Sequence, residues 1–213
     1  MAVAFDPARA LPRRAALNGR REIRSAASPP PGRHRLFFAL MPDEALREAM
    51  ARIAADLEAT QPGAGRRIRP ERYHMTLRFL GGFDSLAAGL LDTFRAAAGT
   101  LPLEPFTFHL DRAGSFRNRS IPWWLGCADV PPPLAALQGA LERSLGASML
   151  PLAPAPAFVP HVTVVRDARR PLPSLAIGPL EWNATELVLV HSDAAAGHAY
   201  ARLGSWVLKP GME

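Results

Sequence analysis

Two short stretches of one shape constrain this chain more than anything else in it. The first reads Tyr73-His74-Met75-Thr76-Leu77-Arg78-Phe79-Leu80-Gly81, and the second Val159-Pro160-His161-Val162-Thr163-Val164-Val165-Arg166. Each holds His, one residue, Thr and an aliphatic residue inside an alternating apolar run, the pattern of a half-buried strand. Residues i and i+2 of a strand share a face. His74 and Thr76 therefore point one way, and Met75, Leu77 and Phe79 the other. His161 and Thr163 share a face in the same manner, with Val162 and Val164 behind them. Set side by side, two such strands surround one small cavity with two imidazoles and two hydroxyls.

The rest of the chain supplies a scaffold for that pairing. A strand is expected at His34–Leu40, followed by Pro42-Asp43-Glu44, a helix start that suits exposed amides and the positive end of the helix dipole. Leu46, Met50, Ile53 and Leu57 recur at helical spacing, so a helix is expected over 43–59. After Gly81-Gly82 a second helix is expected over 85–98, capped by Asp84 or Ser85, and a third from the prolines at 131–133 to about residue 146. Strands are expected at 104–111, 121–128, 158–165, 175–182, 184–191 and 198–208, with loops at 112–120 and 166–174. Strand–helix–strand–helix order occurs before and again after residue 115, and the two motif histidines stand 87 positions apart. The expected fold is α+β: two similar lobes of antiparallel sheet with outer helices, facing each other across a central cleft.

Charge sits unevenly. The formal charge is +6, and the first 35 residues hold eight Arg against Asp6 and Glu22, which accounts for all of it. The remainder is formally neutral, so the basic pI is no argument for a long polyanion bound to the folded part. Residues 1–32, rich in Arg, Ala and Pro, are expected to be a disordered tail; residues 33–209 form the folded domain, and 210–213 its C-terminal end. The single Cys127 excludes an internal disulfide and a multi-cysteine metal site, and fits a reducing cytoplasm. No apolar run is long enough to span a bilayer.

Two imidazoles flanking one group can supply both a base and an acid near neutral pH. Two hydroxyls can donate hydrogen bonds where negative charge gathers. The motifs offer no carboxylates or further His to complete a metal set, so no metal and no other cofactor is expected. Arg78 lies four residues after His74, and a regular strand sends it to the cavity face. Arg166 falls on the opposite face from His161 unless the strand ends or bulges there. Both are candidate substrate contacts. Arg117 and Arg119 read as solvated loop charge. Phe83, Phe116, Trp123 and Trp124 can stack a base or fill the core. His34, His109, His191 and His198 lack the motif context and read as structural or surface residues.

The paired motifs resemble the signature of the two-histidine phosphoesterase superfamily. Arg35 to Leu40 before Pro42-Asp43-Glu44, His74 to Gly81, and Phe158 to Thr163 resemble its bacterial RNA 2′,3′-cyclic phosphodiesterase branch, also called 2′-5′ RNA ligase-like. The resemblance spans about residues 33–209. It implies hydrolysis of 2′,3′-cyclic phosphate ends of RNA or nucleotides to 2′-phosphomonoesters without a metal. It implies His74 as proton donor and His161 as proton acceptor, with Thr76, Thr163, Arg78 and Arg166 toward substrate. The near symmetry of the motifs does not itself assign those roles. A 2′-5′ phosphodiester hydrolase or ligase, and a non-catalytic module binding RNA ends, are the alternatives. A cytoplasmic monomer with no membrane contact is expected.

Overall fold

The computed structural model describes residues 32–209, apart from positions 103, 118, 149, 151, 153, 154 and 198. The tail expected over 1–32 lies outside the described residues up to position 31, as do His198 and the end at 210–213. In chain order the elements are β1 (His34–Leu40), α1 (Glu44–Thr60), β2 (Arg66–Arg67), a single 3-10 turn (Pro70–Arg72), β3 (Met75–Phe83), α2 (Ala88–Gly99), β4 (Phe106–Ser115), β5 (Ile121–Gly126), α3 (Pro132–Ala147), β6 (His161–Ala168), β7 (Leu175–Ala184), β8 (Glu186–Asp193) and β9 (Ala199–Val207). This is the α+β class the sequence indicates, with every described strand pair antiparallel.

The helices form where local chemistry favours them. Asp43 caps α1 by accepting a 2.8 Å hydrogen bond from the Leu46 amide, satisfying one of the helix's orphan donors. Leu46, Met50, Ala54 and Leu57 form the buried stripe of α1; Ala54 takes the place expected of Ile53, which stays half-buried. In α3 the stripe is Leu134, Leu137, Leu141 and Leu145, behind prolines at its N-terminus. Neither Asp84 nor Ser85 caps α2: it starts later, at Ala88, with no side-chain cap. Both stripes, and Phe94, Ala97 and Ala98 of α2, join one core with the strand residues beneath them. Among the described residues, no helix is long and apolar enough to cross a membrane.

Strand order in the sheet is β7-β4-β5-β6-β3-β1-β8-β9, with β2 added on β6. Two groups of four strands thus meet where β3 lies beside β6, at the pair Met75–Val162. The groups do not follow the division at residue 115 that element order suggests. β4 joins the second group, and the C-terminal hairpin β8–β9 returns to pair with β1. The reason is burial on both faces: β1 and β8 carry continuous apolar runs, Leu36–Leu40 and Leu187–Val190, all buried, and such strands belong in a sheet interior. Their helix-facing residues enter the main core, while Phe37, Ala39, Val188 and Val190 form a second cluster on the other face. The motif histidines open onto that second face.

Candidate active site

The Met75–Val162 pair sets the geometry. The strands are antiparallel, so this one pair brings His74 and Thr76 of β3 beside His161 and Thr163 of β6, each His and Thr flanking the paired residue on its own strand. Their neighbours Met75 and Val162, both fully buried, fix the register from the core side.

Each imidazole is held in the same way. His74 Nδ1 lies 2.8 Å from the carbonyl oxygen of Arg72, and His161 Nδ1 lies 2.7 Å from that of Val159. A carbonyl oxygen only accepts, so Nδ1–H is the donor in both rings. In the neutral ring Nε2 then carries no proton and is free to accept one. The local sequence builds these anchors. The turn Pro70–Arg72, closed by Tyr73 N–H donating to the Pro70 carbonyl at 3.0 Å, presents the Arg72 carbonyl. Tyr73 is fully buried and pins that turn to the core. On the other side Pro160 fixes the chain ahead of His161.

Aromatic rings brace both histidines. Phe37 lies 4.8 Å from the His74 ring, and Tyr200 meets it edge-on at 5.2 Å. Phe116 meets His161 edge-on at 4.7 Å. The Arg72 guanidinium lies over Tyr200, 4.8 Å from the ring centroid. Burial is the main force on the titration of His74, lowering its pKa to about 4. The Arg72 carbonyl opposes that shift, while Arg166, His161 and Arg72 add to it. His161 is lowered as well, by burial first and by Arg166, against the Val159 carbonyl. Both rings are therefore neutral at pH 7 in the empty site, in a cationic surrounding suited to an anion.

Arg166 and Arg78 exchange the places a regular strand gives them. In β6, Trp124 pairs with Thr163 but Trp123 pairs with Val165, so Val164 has no partner in β5. This bulge reverses the alternation ahead of Arg166, and the charge of Arg166 lowers the pKa of both histidines. Around it, Arg66 of β2 pairs with Arg166 and contacts Asp167 at 3.7 Å. Gly65 permits that approach: a Cβ there would stand 2.1 Å from the Arg166 carbonyl oxygen. Asp167 has φ 56° and accepts a 2.5 Å hydrogen bond from Ser120. The strand thus runs on to Ala168, where a loop from 166 is expected.

In β3 the equivalent bulge has the opposite effect. Ala39 pairs with Thr76 and Phe38 with Arg78, leaving Leu77 unpaired. Arg78 shares the helix-facing side with the core residue Phe38, contrary to strict alternation. Only 7% exposed, it pairs with Glu142 of α3 at 3.4 Å. Phe79, not Arg78, follows Thr76 onto the open face, where it packs with Phe37 and Tyr200.

The remaining candidates fall elsewhere. Phe83 packs against Phe94. Trp123 is buried and donates from Nε1 to the Arg170 carbonyl at 3.0 Å. Trp124 is buried beside Phe116, and Arg119 is exposed, as is Arg117. His34 and His191 contact each other at 2.9 Å, and exposed His109 faces Glu181. Sequence reasoning missed Phe37, Arg72 and Tyr200. Arg72 carried a usable signal, two residues before the first motif histidine; Tyr200 lies in the last strand and carried none. Among the described residues, no group of three or more His, Cys, Asp or Glu is placed to hold a metal ion.

Comparison with known proteins gives a consistent result. The family model of the 2′-5′ RNA ligase superfamily matches residues 42–196. The RNA 2′,3′-cyclic phosphodiesterase of Escherichia coli (strain K12) is 32% identical over 180 residues, covering 82% of this chain and 96% of that protein. Among solved structures, E. coli LigT in its apo form superposes with a TM-score of 0.69 at 31% identity, covering 83% of this chain and 98% of that one. E. coli LigT complexed with 3′-AMP gives a TM-score of 0.66 at 30% identity, covering 84% and 99%.

Proposed function

The chain belongs to the 2′-5′ RNA ligase superfamily, and on that premise we propose that it hydrolyses 2′,3′-cyclic phosphate ends of RNA or nucleotides, leaving a 2′-phosphomonoester. It is a hydrolase acting on phosphodiester bonds. The observation that supports the reading is the Met75–Val162 pair, which sets side by side two strands that each carry a carbonyl-anchored imidazole.

In this mechanism the cyclic phosphate sits between the imidazoles. His161 Nε2 takes a proton from water, and the water oxygen bonds to phosphorus. The bond to O3′ breaks, and His74 gives that oxygen its proton from Nε2. Thr76 and Thr163 donate hydrogen bonds to the non-bridging oxygens, which hold more charge in the transition state than in the ground state. β-Branching limits each Thr to few rotamers and so fixes the direction of its hydroxyl. Arg166 adds charge complementary to the phosphate.

His74 must be protonated to donate, yet burial pushes it down to about 4. A phosphate anion beside the ring raises it again, so substrate binding itself favours the loaded acid. A ring that resists protonation this strongly makes a ready donor once it is charged. Ligation to a 2′-5′ linkage is the same displacement with a 5′-hydroxyl in place of water, the reverse of 2′-5′ cleavage, and hydrolysis prevails in water. The chemistry needs no metal.

The test is incubation of the protein with a 2′,3′-cyclic mononucleotide, with and without EDTA, and identification of the monophosphate. The 2′-phosphate is the expected product, formed at equal rates in both. Formation of the 3′-phosphate, loss of activity in EDTA, or no turnover overturns the corresponding part of the reading.

A further inference from the structure

Among the described residues, β3 and the segment leading into β6 form no register pair beyond Met75–Val162. The gap between them is a cavity of ≈ 130 Å³ that begins at Thr76 and His161 and reaches through to α3. Phe79 and Phe116 stand on its walls. Its far end is polar, against apolar walls that include Leu77, Phe79, Phe116 and Phe158, and that polar end is built rather than incidental. Gln138 and Glu142 lie one turn apart on α3, and Gln138 Nε2 donates to Glu142 Oε1 at 3.1 Å. Arg78 Nε approaches the same Oε1 at 3.4 Å, and its guanidinium is 7% exposed.

These contacts decide what the slot can recognise. A carboxylate only accepts, so the Gln138 amide is oriented with nitrogen toward Glu142 and its carbonyl turned away. Glu142 Oε1 accepts from Gln138 and lies 3.4 Å from Arg78 Nε. Gln138 Oε1 and Glu142 Oε2 are two further acceptors on one helix face. A flat ring seated between phenylalanines, with two adjacent N–H donors at its edge, satisfies both. Guanine presents N1–H beside N2–H₂. Adenine and cytosine offer one exocyclic amine next to an acceptor, and uracil places its lone N–H between two carbonyl oxygens, which the acceptor pair repels.

We infer that this slot binds the base of the terminal nucleotide and selects guanine, with Gln138 and Glu142 reading its edge and Arg78 positioning Glu142. The inference rests on the proposed cyclic phosphodiesterase reading and names the substrate within it. The pairing with Glu142 holds Arg78 on the helix-facing side, away from the motif histidines.

The experiment compares kcat/KM for the 2′,3′-cyclic phosphates of guanosine, adenosine, cytidine and uridine, in the wild-type protein and in Gln138→Leu and Glu142→Gln. Guanosine is expected to exceed uridine by about 10- to 100-fold, the range for one good bidentate base contact. Each variant should bring the four substrates to within about threefold of one another, through KM rather than kcat. Gln138 is half-buried on the helix surface, so Gln138→Leu keeps the fold and leaves the comparison interpretable. Equal rates for the four bases in the wild type, or a guanosine preference that persists in both variants, overturns the inference and leaves the phosphodiesterase reading intact. No turnover of any of the four overturns both.

Discussion

Five side chains carry the proposed chemistry at the residue scale, and Arg166 is the one whose effect can be read most cleanly. Burial first, and then its cationic charge, lowers the pKa of both His74 and His161. A base must be deprotonated to act, so the acid limb of the kcat/KM profile follows the free enzyme's base. Removing a cation raises an imidazole's pKa. Arg166→Ala should therefore move the acid limb to higher pH and raise KM for the anionic substrate; a limb that stays in place would show that Arg166 does not face the histidines in solution. Thr76 and Thr163 act by another route. Thr76→Ala or Thr163→Ala should lower kcat by about 10- to 1,000-fold, up to the loss seen for a single oxyanion donor, with the pH limbs unmoved. The pairing of His and Thr on one face was legible from alternation alone, because period 2 is a property of any extended chain. The Nδ1 anchors were not, since a carbonyl two residues back becomes available only once the turn at Pro70–Arg72 or the extended chain at Val159 has formed.

At the scale of elements, apolar stripes specify where helices lie, and bulges specify where arginines point. Strands β1, β3, β6 and all three helices were legible because their apolar period is long and unbroken. The exchange of Arg78 and Arg166 between faces was not. A bulge depends on which partner strand presents which residue, here Ala39 and Phe38 against β3 and Trp124 and Trp123 against β6. That information is spread over positions far apart in the chain. The helices hold the slot as well as the core. Leu141 is fully buried in α3, one residue before Glu142. Leu141→Ala should destabilise the protein by about 2–5 kcal/mol, the range for a buried Leu truncated to Ala, as measured by denaturant unfolding. A cost under 1 kcal/mol would mean that α3 is not packed as described.

For the whole molecule, topology converts two distant motifs into one site. The 87-residue separation of the histidines is bridged by a single strand contact at the centre of the sheet, with four strands on either side of it. The α+β class was legible from element order, but the assignment of strands to the two groups was not. The return of β8–β9 to β1 follows from burial on both faces of the sheet, a property of the assembled sheet and not of any segment. Two imidazoles that act on one phosphorus act as a unit, and groups that act as a unit are non-additive when removed. The most direct measurement is kcat/KM on a 2′,3′-cyclic nucleotide for His74→Ala, His161→Ala and the double variant, each confirmed folded by thermal melting. Each single variant should lose about 10²- to 10⁴-fold, and the double variant should lose little more than the worse single. Near-wild-type activity in either single variant, or losses that multiply in the double, would contradict a shared site.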